Sequence, residues 1–327
     1  VYATVNGRRA HPGNAYAADV PREAAYEEIR ARGGAIYLVE CAPQDPRLGL
    51  AQPEYTDCAA VVIRVDHHRP GDPGYGRPRA QFLPASSLGQ VISELARLGT
   101  LPADWERLPW MIAHQCAAGA IVPPYAPPGA DDQDWWVGCG ASIARIPTDL
   151  VLCAAADHCL AAAYAGQCPG VDPAALGRWR AESRAAHQRR TVEEVLADVE
   201  RARAALAAAP RIDIGGVAVA DMRPGRGAPC GAHYPVVPTR PGGAEWSCPG
   251  GTSACWGDTP ELPEAAARDG VPFIGVPRPG PDGRVKLVLQ AAPPTAIKAF
   301  LRGEGVADGL AGLYGEPARG IAGGYIP

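Results

Sequence analysis

The chain has no apolar run long enough to span a membrane, and no secretory leader is visible at its start. These two absences predict a cytoplasmic protein that does not enter a bilayer. Basic charge is not in excess either: 31 Lys and Arg stand against 35 Asp and Glu, a formal net charge of -4. No global positive field therefore draws in nucleic acid, although a local groove could still bind an anion. No solenoid-type internal repeat is found. The 10 cysteines are scattered, some inside apolar runs such as those of Cys116 and Cys153. Without an export signal they read mainly as reduced thiols.

Hydrophobic residues make up 47% of the 327 positions, enough for a substantial core and for two domains. The chain is organised around residues 59–68, Ala-Ala-Val-Val-Ile-Arg-Val-Asp-His-His. A β-branched run that ends in an acid and two imidazoles reads as a buried strand delivering three chemically active side chains to its carboxyl end. Open α/β sheets place their sites at such ends. The following Arg69-Pro70-Gly71-Asp72-Pro73-Gly74 cannot continue the strand and must turn away.

Around this stretch the pattern alternates. Val1–Val5 can be a short strand before an Asn6-Gly7 turn. Residues 21–33 read as a helix with Pro21 in its first turn and Gly33-Gly34 as its stop. Ala35–Val39 is a strand ending at Glu40. Ser86 or Ser87 can cap a helix running to about Leu98, and the cap competes with a phosphate-binding role for Ser86. Residues 109–122 read as an apolar helix containing His114, more readily a core residue than a ligand. Residues 123–136 read as a loop whose Trp135-Trp136 could stack a base or simply pack. Val151–Ala156 is another apolar run, closed by Asp157-His158. That acid fits a metal ligand or a helix cap equally well.

The expected class is α/β: a parallel-sheet N-terminal domain over 1–173, a helical connector over 174–209 and a smaller α/β domain over 210–327. The last carries a Cys/Gly/Pro-rich insertion at 223–260. Within it Cys230, His233, Cys248 and Cys255 could hold a structural zinc; unlinked cysteines or a Cys248–Cys255 disulfide are the alternatives.

The strand 61–65 followed by Asp66-His67-His68, with Ala85-Ser86-Ser87 opening a helix downstream, resembles the DHH phosphoesterase superfamily. The resemblance spans most of the chain, though only the triplet matches tightly. It implies Asp66, His67 and Asp157 as metal ligands, Asp157 at the end of a later strand, with Glu40 where the family usually has aspartate; the adjacent His158 could add a donor that the family lacks. His67 and His68 are the implied catalytic residues, His68 also fitting a position behind the ligands. Gly323 and Gly324 stand near the substrate-binding glycine loop that the resemblance implies; the residues themselves add Ser86, at a helix start, and Arg319, a basic residue beside the glycines, as candidate phosphate contacts.

Two departures stand out. The family's opening His-x-Asp-x-Asp-Gly motif is missing, with only His11, Asn14 and Asp19 nearby, and Tyr325 replaces the histidine that normally follows the glycines. The implied activity is metal-activated hydrolysis of a nucleotide, a short oligonucleotide or another small phosphorylated compound, with manganese the expected ion. The alternatives are altered metal-dependent chemistry on the same scaffold and a non-catalytic nucleotide-binding protein. A homodimer is compatible with the sequence.

Overall fold

The structure, a computed structural model, describes residues 4–5, 8–9, 31–32, 35–40, 61–68, 70–109, 119–122, 134–140, 142–223, 261–275 and 285–326. The expected helix over 21–33 falls outside these residues except at Ala31 and Arg32. His11, Asn14, Asp19, His114, Cys230, His233, Cys248 and Cys255 also fall outside them. The chain divides into two compact units, 1–154 and 155–327. Both are mixed α/β in content. Among the described residues no helix is long and apolar enough to cross a membrane.

In the first unit, β1 (Thr4–Val5) and β2 (Arg8–Arg9) pair antiparallel on either side of Asn6-Gly7. β3 (Ala35–Val39) and β4 (Val61–Val65) form a parallel pair in register from Ala35↔Val61 to Val39↔Val65. A parallel pair aligns its carboxyl ends, so Glu40 and Asp66 leave the sheet side by side. The Glu40 N–H bonds the Val65 carbonyl at 3.0 Å, extending the pairing by one step.

After the turn come α1 (Phe82–Ala85) and α2 (Ser87–Arg97), the second with the expected start and end. Ser86 caps α2 by accepting from the Gly89 N–H at 3.0 Å. Gly89 is needed for a second reason: a Cβ there would run into the Leu83 carbonyl where α1 abuts α2. The buried Ile92 and Ala96 lie on the face that α2 turns to β4 and β7.

The middle of this unit departs from the expected all-parallel design. β5 (Arg107–Pro109), β6 (Ile121–Val122), β7 (Trp136–Cys139) and β8 (Ser142–Arg145) form an antiparallel sheet in the order β5-β8-β7-β6. Ile121-Val122 is thus strand rather than the end of a helix, and Trp136 opens a strand rather than closing a loop. β7 and β8 pair locally on either side of Gly140, whereas β5 pairs with the distant β8, Pro109 opposite Ser142; β-branched Ile and Val suit such strands. Trp135 and Trp136 are both buried, and the Phe82 ring meets Trp135 edge-on at 5.2 Å. They serve packing, which removes the base-stacking alternative.

The apolar run 151–158 is not a strand. It lies within α3 (Thr148–Tyr164), broken at Cys159, where φ is -151° and ψ 48°. Periodicity alone does not separate a short buried strand from a buried helix. Here Ala-rich composition and continuation past His158 through three more alanines favour helix.

α4 (Pro173–Gln188) begins with Asp172 capping the Ala174 and Ala175 N–H groups and Pro173 in its first turn. α5 (Val192–Ala208) begins with a reciprocal Thr191–Glu194 capping box. These two expected helices are present. They do not form a free-standing connector, however, because both belong to the second unit. α5 shares a core with α6 (Glu261–Asp269), in which Val199, Ala202 and Leu206 meet Leu262, Ala265 and Phe273.

The second unit is built on a six-stranded mixed sheet in the order β13-β14-β12-β11-β10-β9. Its strands are β9 (Arg211–Ile214), β10 (Val217–Asp221), β11 (Phe273–Gly275), β12 (Val285–Gln290), β13 (Ala311–Glu316) and β14 (Ile321–Ile326). Only β10–β11 is parallel. A second core joins this sheet to α7 (Pro294–Leu301) through Ile274, Leu287, Leu289, Ile297 and Phe300.

A charged network is buried where α3, α4 and α6 meet. The Glu264 carboxylate accepts from Tyr164 and Arg180, and from Arg268 Nε at 3.2 Å. Arg184 lies 3.7 Å from both Glu264 and Glu261. Burial alone would push the Glu264 carboxyl up, but Arg180, the Tyr164 hydroxyl and Arg184 outweigh it and hold the group below its ordinary value. Burial and the Glu264 charge push Tyr164 up to about 12, so it remains a donor.

Candidate metal centre

The parallel pair places Glu40 and the Asp66-His67-His68 turn together at the carboxyl ends of its two strands. One ligand atom each from Glu40, His67 and His68 lies within 4.8 Å of the others. This is the cluster of metal-capable side chains found among the described residues. A carboxylate with two imidazoles suits a divalent ion such as manganese, iron or zinc. Glu40 has φ 48°, a left-handed conformation that a non-glycine residue adopts at a cost of order 1–3 kcal/mol.

Asp66, expected as a ligand, stands behind this cluster. It is fully buried, and its Oδ1 accepts from the His67 N–H at 2.7 Å, the His68 N–H at 3.2 Å and His68 Nδ1 at 2.7 Å. One carboxylate oxygen thus folds the turn and aims a ring. The carboxylate only accepts, so this contact favours the His68 tautomer with the proton on Nδ1, in which Nε2 carries the ring's lone pair. A carboxylate behind an imidazole is the usual support for a metal-binding histidine.

His67 is governed by Ser87 instead. Its Nδ1 receives the Ser87 N–H at 3.3 Å and lies 3.4 Å from Ser87 Oγ. With the N–H donating, the neutral ring carries its proton on Nε2, which is then a donor. With Nδ1–H donating to Oγ, Nε2 becomes a ligand. The two rings stack with centroids 4.3 Å apart.

Two further residues shape the turn, and neither was picked out from the sequence. Gln90 clamps Asp66 from both sides: its Oε1 accepts from the Asp66 N–H at 3.1 Å, and its Nε2 donates to the Asp66 carbonyl at 3.0 Å. A third bond, 2.8 Å to the Ala85 carbonyl, ties that amide to the helix start. An amide side chain here takes the part of a strand neighbour. Gly74 lies against the turn, its N–H 3.1 Å from the Asp66 carbonyl. A Cβ on Gly74 would strike the Ala85 carbonyl and come within 2.7 Å of His67 Cβ. Arg64 and Asp72 close the loop with an ion pair at 2.8 Å. A serine pair followed at helical spacing by Gly89 and Gln90 is the sequence signal that could have found the clamp.

The remaining predicted site residues are occupied otherwise. Ser86 Oγ accepts the Gly89 N–H and donates to the Leu83 carbonyl at 2.8 Å, so the hydroxyl serves the cap rather than a phosphate. Asp157 is exposed and His158 buried, both within α3 and in the second unit. Arg319, expected to meet substrate, donates to the Asp157 carbonyl at 2.9 Å and the His158 carbonyl at 3.3 Å. The break at Cys159 disrupts the helical ladder there, and the guanidinium supplies donors to these carbonyls.

Gly323 and Gly324 are not a loop: they lie inside β14, buried. The Tyr314 ring covers Gly323, while Leu310 and Leu313 fill the space beside Gly324. No family model, no curated protein and no solved structure matches the chain.

Proposed function

We propose that this chain is a metal-dependent phosphoesterase of DHH type, acting on a nucleotide, a short oligonucleotide or another small phosphorylated compound. The observation that carries the reading is the convergence of Glu40, His67 and His68 within 4.8 Å at the ends of two parallel strands. A divalent ion bound there would lower the pKa of a water molecule and polarise a phosphoryl oxygen. Glu40 and, with the proton on Nδ1, His68 Nε2 would offer lone pairs to such an ion. Asp66 holds the His68 ring by its Nδ1–H. His67 either completes the ligand set or, with its proton on Nε2, donates to a phosphate oxygen. Ser87 governs that choice by acting as donor or acceptor toward Nδ1.

The test is elemental analysis of protein purified without chelator, followed by hydrolysis of bis-p-nitrophenyl phosphate with added manganese. Bound divalent metal, lost together with hydrolysis in His68→Ala, is the expected result. Protein that takes up no divalent ion, or hydrolysis unchanged in His68→Ala, sinks the proposal.

One observation favours altered chemistry on the same scaffold: among the described residues the cluster has three ligand side chains, a set that suits a single ion. One ion per chain, with no hydrolysis across a broad panel of phosphate esters, would select that second reading.

A further inference from the structure

We propose that Cys159 and Cys168 form an intramolecular disulfide that staples the break in α3 to the loop behind it. Their sulfurs lie 2.9 Å apart and both residues are buried. A disulfide bond is about 2.05 Å long, so closure needs a shift of less than about 1 Å.

Two independent features of the chain create the approach. At Cys159 the backbone leaves helical geometry, with φ -151° and ψ 48°. At the end of α3, Gly166 has φ 67°, the Gln167 N–H bonds the Ala162 carbonyl, and the Gly166 N–H bonds the Ala163 carbonyl. That pair of bonds around a left-handed glycine is a Schellman turn, which reverses the chain. It returns Cys168 to the level of Cys159. The neighbours of Cys168 in the loop, Gln167 and Pro169, are exposed, so a small opening brings its thiol to the surface.

The oxidant is a low-molecular-weight disulfide. The Cys168 thiolate attacks one of its sulfurs and releases one small thiolate, leaving a mixed disulfide. The Cys159 thiolate then attacks the Cys168 sulfur and expels the second small thiolate. The protons of the two protein thiols pass to the released thiolates, so the protein is oxidised by two electrons and the small disulfide is reduced to two thiols. This pair thus departs from the general expectation of reduced cysteines.

The test uses the whole chain. Protein is treated with oxidised glutathione, its remaining thiols are blocked with iodoacetamide in denaturant, and it is cleaved before aspartate. The fragment between Asp157 and Asp172 contains only these two cysteines. The expected fragment carries no blocking group and is lighter by two hydrogens than its reduced form. Two blocking groups on it, a bond from either cysteine to a third, or a stable glutathione adduct at Cys168 would each overturn the proposal. Oxidation should also raise Tm by about 5 °C or more, and Cys168→Ser should abolish the rise. A rise that persists in that variant assigns the effect to another bond and equally overturns the proposal.

Discussion

The two units use polar residues in opposite ways. In the second, polar groups are directed at one another: Glu264 is held among Tyr164 and three arginines, and Arg319 serves carbonyls at a helix break. In the first, Asp66 is just as buried, but its bonds hold two imidazoles beside Glu40 with donor atoms converging. Residue types suited to chemistry occur in both. Only where their ligand atoms converge on shared space do they make a candidate site.

Four substitutions sharpen this contrast. The largest effect on stability belongs to Glu264→Gln, which leaves three partly buried arginines without their main countercharge. Removing one partner of a buried pair costs about 3–5 kcal/mol, measurable by urea unfolding, while metal content per folded chain should not change. The folded-state pKa of Glu264 is depressed. Its contribution is therefore present above the unfolded carboxyl value of about 4.3 and is lost as pH falls through the folded value. Between about pH 5 and pH 3 the native chain should lose more stability than the Gln variant.

Asp66→Asn comes next and acts on the other unit. Its amide can offer a donor where His68 Nδ1–H needs an acceptor, and metal affinity should drop about 10–100-fold in a titration. An unchanged affinity would mean that the carboxylate does not orient the ring. Arg319→Ala should cost about 1.5–3 kcal/mol of stability by removing charge-assisted bonds to the Asp157 and His158 carbonyls. Metal binding and any hydrolysis should be unaltered; a loss of substrate affinity instead would restore this arginine to a binding role. Ser86→Ala should have the smallest effect, about 1 kcal/mol, as for loss of a helix cap. A larger drop in kcat than in stability would show that the hydroxyl does more than cap.

Parts of this picture were legible in the residues themselves. The β-branched run ending in Asp66 reads as a strand because its alternatives are poor, and Ser86 announces the helix that follows. Glu40 was found because it ends the neighbouring strand. Gln90 was not, because it binds backbone, and backbone leaves no mark in side-chain patterning. The run before Asp157 misled because an apolar stretch of that length fits either a buried strand or a helix. Gly323 and Gly324 suggested a loop. Their place in a strand depends on Tyr314, Leu310 and Leu313, which lie 9 to 14 positions earlier and fill the space that missing side chains leave.

Residues 321–326 have a position that bears on biosynthesis. β14 runs between β13 and β12 rather than along a border. A nascent polypeptide stopped before residue 321 would leave the hydrogen-bonding groups of residues 285–290 open on one side, a template for pairing with another molecule. Completion of the sheet therefore waits on synthesis of residues 321–326, and ribosome stalling just before them should favour aggregation over folding.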